Sequence, residues 1–337
     1  MKKYQGTHVK DTKSKKGRKI KILIAVIAVL IVATVVLLLL YPQITVLLNK
    51  LPPNDPLYAE QGNLASIHIE DAWRAGLTGR DVKIAIIDTG VNAHEDLDMS
   101  KIRGKSYVDE DQTDISDVRG HGTFITGLLA ATRDNETGIA GMTDSEIVIL
   151  KVFGSEPHIG IDNVAQAIRD AVDVYQCSVI NISMGTPNEN NTLKEAVEYA
   201  ISKGSIIIAA AGGDSETPYY PAAYDGVIGV DAVSADLELL ETAVNNESVF
   251  VTAPGEKIVS LDFNGGYERN GAGASYAAAQ VTALAAFAKQ RQPDITPEAF
   301  TELLKQSVQD KGEQGYDPSY GWGVVDAGTL AQVIKAG

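Results

Sequence analysis

Apolar positions follow two different regimes along this chain. Residues 22–40 carry no charge and consist of Leu, Ile, Val and Ala with a single Thr. At a helical rise of about 1.5 Å per residue, this run is long enough to cross most of a bilayer of roughly 30 Å. It predicts one membrane-spanning helix. From Val82 onward the pattern changes to apolar runs of strand length followed by helical periodicity. VKIAIID precedes FITGLLAAT, EIVILKVF precedes VAQAIRDAVDVY, and SVINISMG precedes LKEAVEYAIS. SIIIAAAG, VIGVDAV and a late VTALAAFAKQ complete the series. Strands alternating with helices predict an α/β domain, a three-layer sandwich with a mostly parallel sheet between helices on both faces. Such sheets bind ligands at the carboxyl ends of their strands.

Charge orients the amino-terminal helix. Nine basic residues and one acidic residue lie within residues 1–21, whereas Lys50 is the only basic residue shortly after the apolar run. The amino terminus is therefore expected in the cytoplasm and the large domain outside, a single-pass arrangement in the cell membrane. The run ends in LLLLYPQITVLL without a small-x-small cleavage site, which predicts an uncleaved anchor. The expected organisation is a basic tail (1–21), a transmembrane helix (22–41), a linker containing LPPNDP (42–56) and a folded domain (57–337). The formal charge of the whole chain is −15, so the portion after the tail carries about −23. That acidity argues against nucleic acid as a partner and suits the solubility of an exported domain. Cys177 is the only cysteine, which excludes an intrachain disulfide, and its apolar neighbours predict a core position.

Three Gly-rich segments carry candidate chemistry: IAIIDTG with Asp88, GHGT with His121, and GAGASYAAA with Ser275. A hydroxyl nucleophile needs a base to take its proton and a carboxylate to orient that base. Asp88 closes a strand, where burial shields the carboxylate. Of the five histidines, His121 alone stands between two glycines at a helix start. Ser275 is flanked by small residues just ahead of an Ala-rich helix, where the positive end of the helix dipole lies. Simpler readings exist for each: a turn Asp, a packed His and a helix-capping Ser. DTG also occurs in aspartic proteases, but those need two such carboxylates and this chain has one. The pattern lacks G-x-G-x-x-G after a first strand, and Gly104-Lys105-Ser106 has Met99 where the Walker-type G-x-x-x-x-G-K-[ST] needs its leading Gly, which argues against a nucleotide-binding domain.

Taken together, these segments resemble the subtilisin-like serine proteases, or subtilases, with the likeness running over residues 54–327. It extends to NDPLYAEQ, VINISMG, VTAPGEKIVS and GWGVVDA. The resemblance implies a seven-stranded parallel sandwich and endopeptidase activity on protein or peptide substrates through an acyl-enzyme. It implies Asp88, His121 and Ser275 as the triad. It further implies that Ser183, Met184 and Gly185, with Ala210, Ala211 and Gly212, line the primary side-chain pocket. The segment Phe153 to Gly160, including Gly154, resembles the edge that pairs with extended substrate.

The sequence departs from that family in several places. Where subtilases carry an Asn that helps bind the oxyanion, this chain has Gly213 followed by Asp214. Ala274, Tyr276, Ala278 and Gln280 replace the usual Thr, Met, Pro and His. Loss of the side-chain donor costs about 10² to 10³ in turnover in subtilisin itself, leaving the backbone at Gly213 and Ser275 as oxyanion donors. The sequence therefore supports a slow or selective protease, with a peptide-binding pseudoprotease as the alternative. Residues 41–53 leave no room for the prodomain common in the family, so none is expected. No cofactor is required for the chemistry. Asp96 and Asn135 resemble a family calcium site and would supply hard oxygen ligands, although D-N-E-T-G also reads as an ordinary polar turn.

Overall fold

The computed structural model describes residues 12–48, 52–155, 160–212 and 216–336. They belong to two compact units, Met1–Leu51 and Pro52–Gly337. The first holds one helix, α1 (Thr12–Leu48). Within it Lys21–Tyr41 is long and apolar enough to cross a membrane, a property shared by signal sequences. The helix begins inside the basic segment and continues into the segment read as linker. Lys and Arg have helix propensities close to that of Leu, so nothing local ends the helix where the charge pattern changes.

The second unit starts with two short helices, α2 (Gly62–Ser66) and α3 (Ile69–Arg74), and then alternates. In chain order follow β1 (Lys83–Asp88), β2 (Ile102–Ser106), α4 (His121–Ala130), β3 (Glu146–Lys151) and α5 (Ile161–Asp173). Next come β4 (Val179–Ile182), α6 (Asn191–Ser202), β5 (Ile206–Ala210), β6 (Ile228–Val233), β7 (Val251–Pro254), β8 (Ile258–Leu261) and β9 (Tyr267–Gly271). The chain closes with α7 (Ala274–Arg291), α8 (Pro297–Lys305), β10 (Val308–Gln309), β11 (Val324–Val325) and α9 (Ala327–Ala336).

The main sheet runs β10-β11-β7-β6-β5-β4-β1-β3-β2. Strands β2 to β7 with β1 form the expected seven-stranded parallel array, but two-residue strands β11 and β10 extend it to nine, and β10 is antiparallel. These additions are too short to show an apolar period in sequence. One face of the sheet packs Ile84, Ile86, Ile149 and Ile208 against Phe124 of α4 and Ala278 of α7. The other packs Ala85, Ile87, Val148 and Ile207 against Ile168 of α5 and Val197 of α6. Burial on both faces explains why these strands are continuous apolar runs rather than alternating ones.

Strand β1 lies between β3 and β4, so the chain leaves it toward one side and returns on the other. Its carboxyl end is where connections diverge and a crevice opens. Residues 54–55 belong to this unit rather than to a free spacer: the Asp55 carboxylate accepts N–H bonds from Asp134 at 3.0 Å and Asn135 at 3.2 Å. A polar residue satisfied at both oxygens is anchored, whatever the composition around it suggests.

Candidate active site

Asp88 ends β1 with its side chain 1% exposed. Its carboxylate accepts the Thr89 N–H at 2.7 Å and faces His121 Nδ1, with 2.8 and 2.9 Å to its two oxygens. This contact assigns the proton of the neutral imidazole to Nδ1 and leaves Nε2 as the acceptor. Burial disfavours the charged imidazolium, but the Asp88 carboxylate, helped by Asp117, outweighs it and holds the His121 pKa above 6.5.

The backbone permits this meeting only because two glycines touch. A Cβ on Gly122 would strike the Gly90 carbonyl, and one on Gly90 would lie 2.6 Å from the Ile115 carbonyl. The start of α4 thus rests directly on the turn after β1. Asp117 caps that start: Oδ1 accepts from Arg119 N at 2.9 Å and Gly120 N at 2.8 Å, and Oδ2 from Thr123 N and Oγ1, each at 2.8 Å. Burial raises the Asp117 pKa, and the N–H and hydroxyl donors more than reverse this, so it remains an anion. Thr89 Oγ1 accepts from Gly122 N at 2.8 Å, a second tie between β1 and α4.

Ser275 occupies the first turn of α7, with Gly273 rather than a serine as the capping residue. Its backbone N–H is one of the helix donors without an intrahelical partner. Its hydroxyl donates to the Ser183 carbonyl at 3.1 Å, and no hydrogen bond among the described residues joins it to His121. The Asp88–His121 pair expected from the sequence is formed, and the Ser275 hydroxyl is turned toward the end of β4. Its surroundings are tied down from behind. Thr282 Oγ1 donates to Asn181 Oδ1 at 2.9 Å, and Asn181 Nδ2 donates to Ser183 Oγ at 2.8 Å.

Ser183, Met184 and Gly185 follow β4, while Ala210 ends the adjacent β5 and Ala211 and Gly212 follow it. Ser183 and Ala210 are nearly buried, and Met184, Gly185 and Gly212 are half-buried. Ala211 instead packs into the core, and its N–H donates to the Val230 carbonyl at 2.9 Å. A Cβ on Gly185 would lie 3.1 Å from Tyr219 Cβ, so Tyr219 adjoins the same region. Gly154 accepts from Arg119 Nε at 2.8 Å. Gly213, Asp214 and residues 156–159 of the expected substrate edge lie outside the described residues. A cleft of about 520 Å³ lined by Arg80, Lys101, Arg133 and Glu146 lies near the amino ends of β1 and β3, away from these groups.

The remaining described histidines have other partners. His94 Nε2 lies 2.8 Å from the Gly266 carbonyl, and His68 Nδ1 lies 2.8 Å from Asp326. Cys177 is buried, which pushes its thiol up to about 12.

Asp96 and Asn135 do come together, but as partners of one another. Asp96 Oδ1 accepts from Asn135 Nδ2 at 2.9 Å, and Oδ2 accepts from Ile139 N at 2.9 Å and Tyr267 Oη at 3.4 Å. Asn135 Oδ1 accepts from Thr137 N at 2.7 Å. Burial raises the Asp96 pKa, opposed by these donors. In this arrangement Asp96 and Asn135 are hydrogen-bonded to each other and to backbone N–H groups, as in a polar turn. Among the described residues there is no cluster of three or more His, Cys, Asp or Glu suited to a metal ion.

Sequence reasoning passed over Asp117, Asn181 and Thr282, and met Tyr276 only as a departure from the family pattern. Asp117 had a legible signal, a capping carboxylate in D-V-R-G-H-G-T. The others act across distant elements and had none.

Comparison with known proteins agrees with this geometry. Residues 79–323 match the profile of the subtilase family, peptidase S8. The minor extracellular protease Epr of Bacillus subtilis is 32% identical over 269 residues, covering 79% of this chain and 41% of that protein. The chain thus spans less than half the length of that relative. The major intracellular serine protease of the same organism is 34% identical over 264 residues, covering 72% of this chain and 81% of that protein. A solved protease structure from Pseudoalteromonas arctica superposes with a TM-score of 0.76 at 25% identity, covering 84% of this chain and 100% of that one. The chain belongs to the subtilase family of serine endopeptidases.

Proposed function

We propose that this protein is a membrane-anchored, extracytoplasmic endopeptidase that cleaves protein or peptide substrates through Asp88, His121 and Ser275. The observation that carries the reading is the carboxylate–imidazole pair of Asp88 and His121, brought beside the amino end of the helix bearing Ser275. Catalysis requires the Ser275 hydroxyl to leave the Ser183 carbonyl and present its proton to His121 Nε2. As Oγ bonds to the substrate carbonyl carbon, Nε2 takes the proton and Asp88 stabilises the imidazolium. The carbonyl oxygen becomes an oxyanion, for which the Ser275 N–H and the backbone at Gly213 are the proposed donors. When the tetrahedral species collapses, the C–N bond breaks and the amine departs with the proton from His121. Water then attacks the ester by the same route, releasing the acid and restoring Ser275.

Ser183, Met184 and Gly185 on one side, with Ala210 and Gly212 on the other, are the proposed walls for the residue preceding the cleaved bond. The nine basic residues ahead of the apolar run 22–40 support a cytoplasmic amino terminus. Replacement of the oxyanion Asn by Gly213, together with the Ser275 hydroxyl bound to Ser183, favours a second reading as a peptide-binding pseudoprotease.

A fluorophosphonate probe separates the two: labelling of the full chain but not of Ser275→Ala supports the protease, and absence of labelling in a folded chain supports the binding protein. For the anchor, the full-length chain is expected in the membrane fraction after alkaline wash. A shortened, soluble chain as the main product would remove that part of the proposal.

A further inference from the structure

Tyr276 immediately follows the nucleophile, and its ring meets two rings of α4. It lies 5.8 Å from the His121 imidazole at an interplanar angle of 37°, and 4.5 Å from Phe124 at 48°. His121 and Phe124 are three residues apart, so they share one face of that helix. One side chain therefore joins the helix bearing the base to the helix bearing the nucleophile. Asp88 grips the imidazole only at Nδ1, which leaves rotation of the ring about that contact unopposed. The tilted Tyr276 ring beside the imidazole is placed to oppose that rotation.

We propose that Tyr276 is a positioning residue for His121: its ring fixes the imidazole plane, and its π face favours the imidazolium that forms when Ser275 gives up its proton. The inference rests on the proposed role of His121 as base. The charged and titratable groups around the pair are Asp88 from β1, Asp117 before α4 and Glu268 from β9. Burial, with the charges of Glu268 and Asp88, pushes the Tyr276 hydroxyl up to about 12. It stays protonated at neutral pH, so the ring is the working part and Phe should replace it.

The test compares the full-length chain with Tyr276→Phe and Tyr276→Met, the latter filling similar space without a π face. The His121 pKa is measured by histidine-selective NMR, and kcat and KM are followed on a peptide substrate across pH. Tyr276→Phe should match the parent. Tyr276→Met should lower the His121 pKa by about half a unit and kcat by roughly tenfold or more, with KM little changed. Parent-like values in Tyr276→Met, or equal losses in both variants, would overturn the proposal. Melting temperatures check folding, and Tyr276→Leu is read instead should Tyr276→Met melt below the assay temperature. If the parent chain proves inactive, the protease reading fails, whereas the His121 pKa still reports on the ring contact.

Discussion

Asp88 supports His121 in two ways, by fixing its tautomer and by opposing the effect of burial on its charge. Both follow from a carboxylate that is nearly inaccessible to water and 2.8 Å from Nδ1. In Asp88→Asn the tautomer preference is lost, and kcat on a peptide substrate should fall by about 10⁴ with a small change in KM. The acid limb of kcat/KM, expected above 6.5 in the parent, should move to lower pH because the ring loses its anion. The sign for stability follows from the same shift. A raised imidazole pKa stabilises the folded chain below the unfolded value, and this is lost as pH rises through the folded pKa. His121 was identifiable from its two glycines, whereas Tyr276 was visible only as a departure from a familiar pattern. Its neighbours come from a helix about 150 residues earlier, a distance no local rule spans.

At the scale of elements, the position of His121 depends on how α4 begins. Asp117 satisfies three backbone N–H groups and one hydroxyl there, and Gly122 lets the helix rest on Gly90. Asp117→Ala removes the acceptor and leaves the buried Thr123 N–H and hydroxyl without it. Stability should drop by about 2 kcal/mol, or roughly 5 °C in Tm, with kcat reduced alongside. Because its pKa is depressed, the Asp117 contribution is present above the unfolded value and fades as pH falls through the folded one. Differential scanning calorimetry at pH 7 and well below pH 3.8 checks both statements. The runs of β1, β3, β4, β5 and β6 were legible because doubly buried strands leave uninterrupted apolar runs, whereas the edge strand β2, IRGKS, leaves none. The two-residue strands β10 and β11 were not, since pairing with a neighbour creates them rather than any preference of their own.

For the whole molecule, a buried acid behind the site carries its own pH dependence. Asp231 on β6 is 3% exposed, and its Oδ2 accepts the Val244 N–H at 2.7 Å. Burial pushes its carboxyl up to about 6, with the Val244 and Ala232 N–H groups resisting. A raised acid pKa has the opposite sign to Asp117: the folded state holds its proton more tightly, so the group destabilises the fold above about pH 6 and does so progressively less as pH falls toward 3.8. Asp231→Asn keeps an acceptor for Val244. It should therefore stabilise the chain by about 3 kcal/mol at pH 8, and denaturant titrations should show that gain shrinking between pH 6 and pH 4. Calcium belongs to the same scale. With Asp96 and Asn135 engaged by each other and by N–H donors, melting temperatures with and without chelator should coincide.

By itself the sequence determined the apolar amino-terminal run, the succession of strands and helices, and the residue types at Asp88, His121 and Ser275. Each follows from local composition and period, which short-range sterics and burial impose directly. Tertiary structure alone decided that Asp88 and His121 meet through their two glycines, that Ser275 turns to Ser183, and that Asp96 and Asn135 satisfy each other. It also decided that Tyr276, beside Ser275, packs near the His121 ring. Those outcomes depend on distances between elements far apart in the chain, fixed by how the faces of the sheet and helices pack.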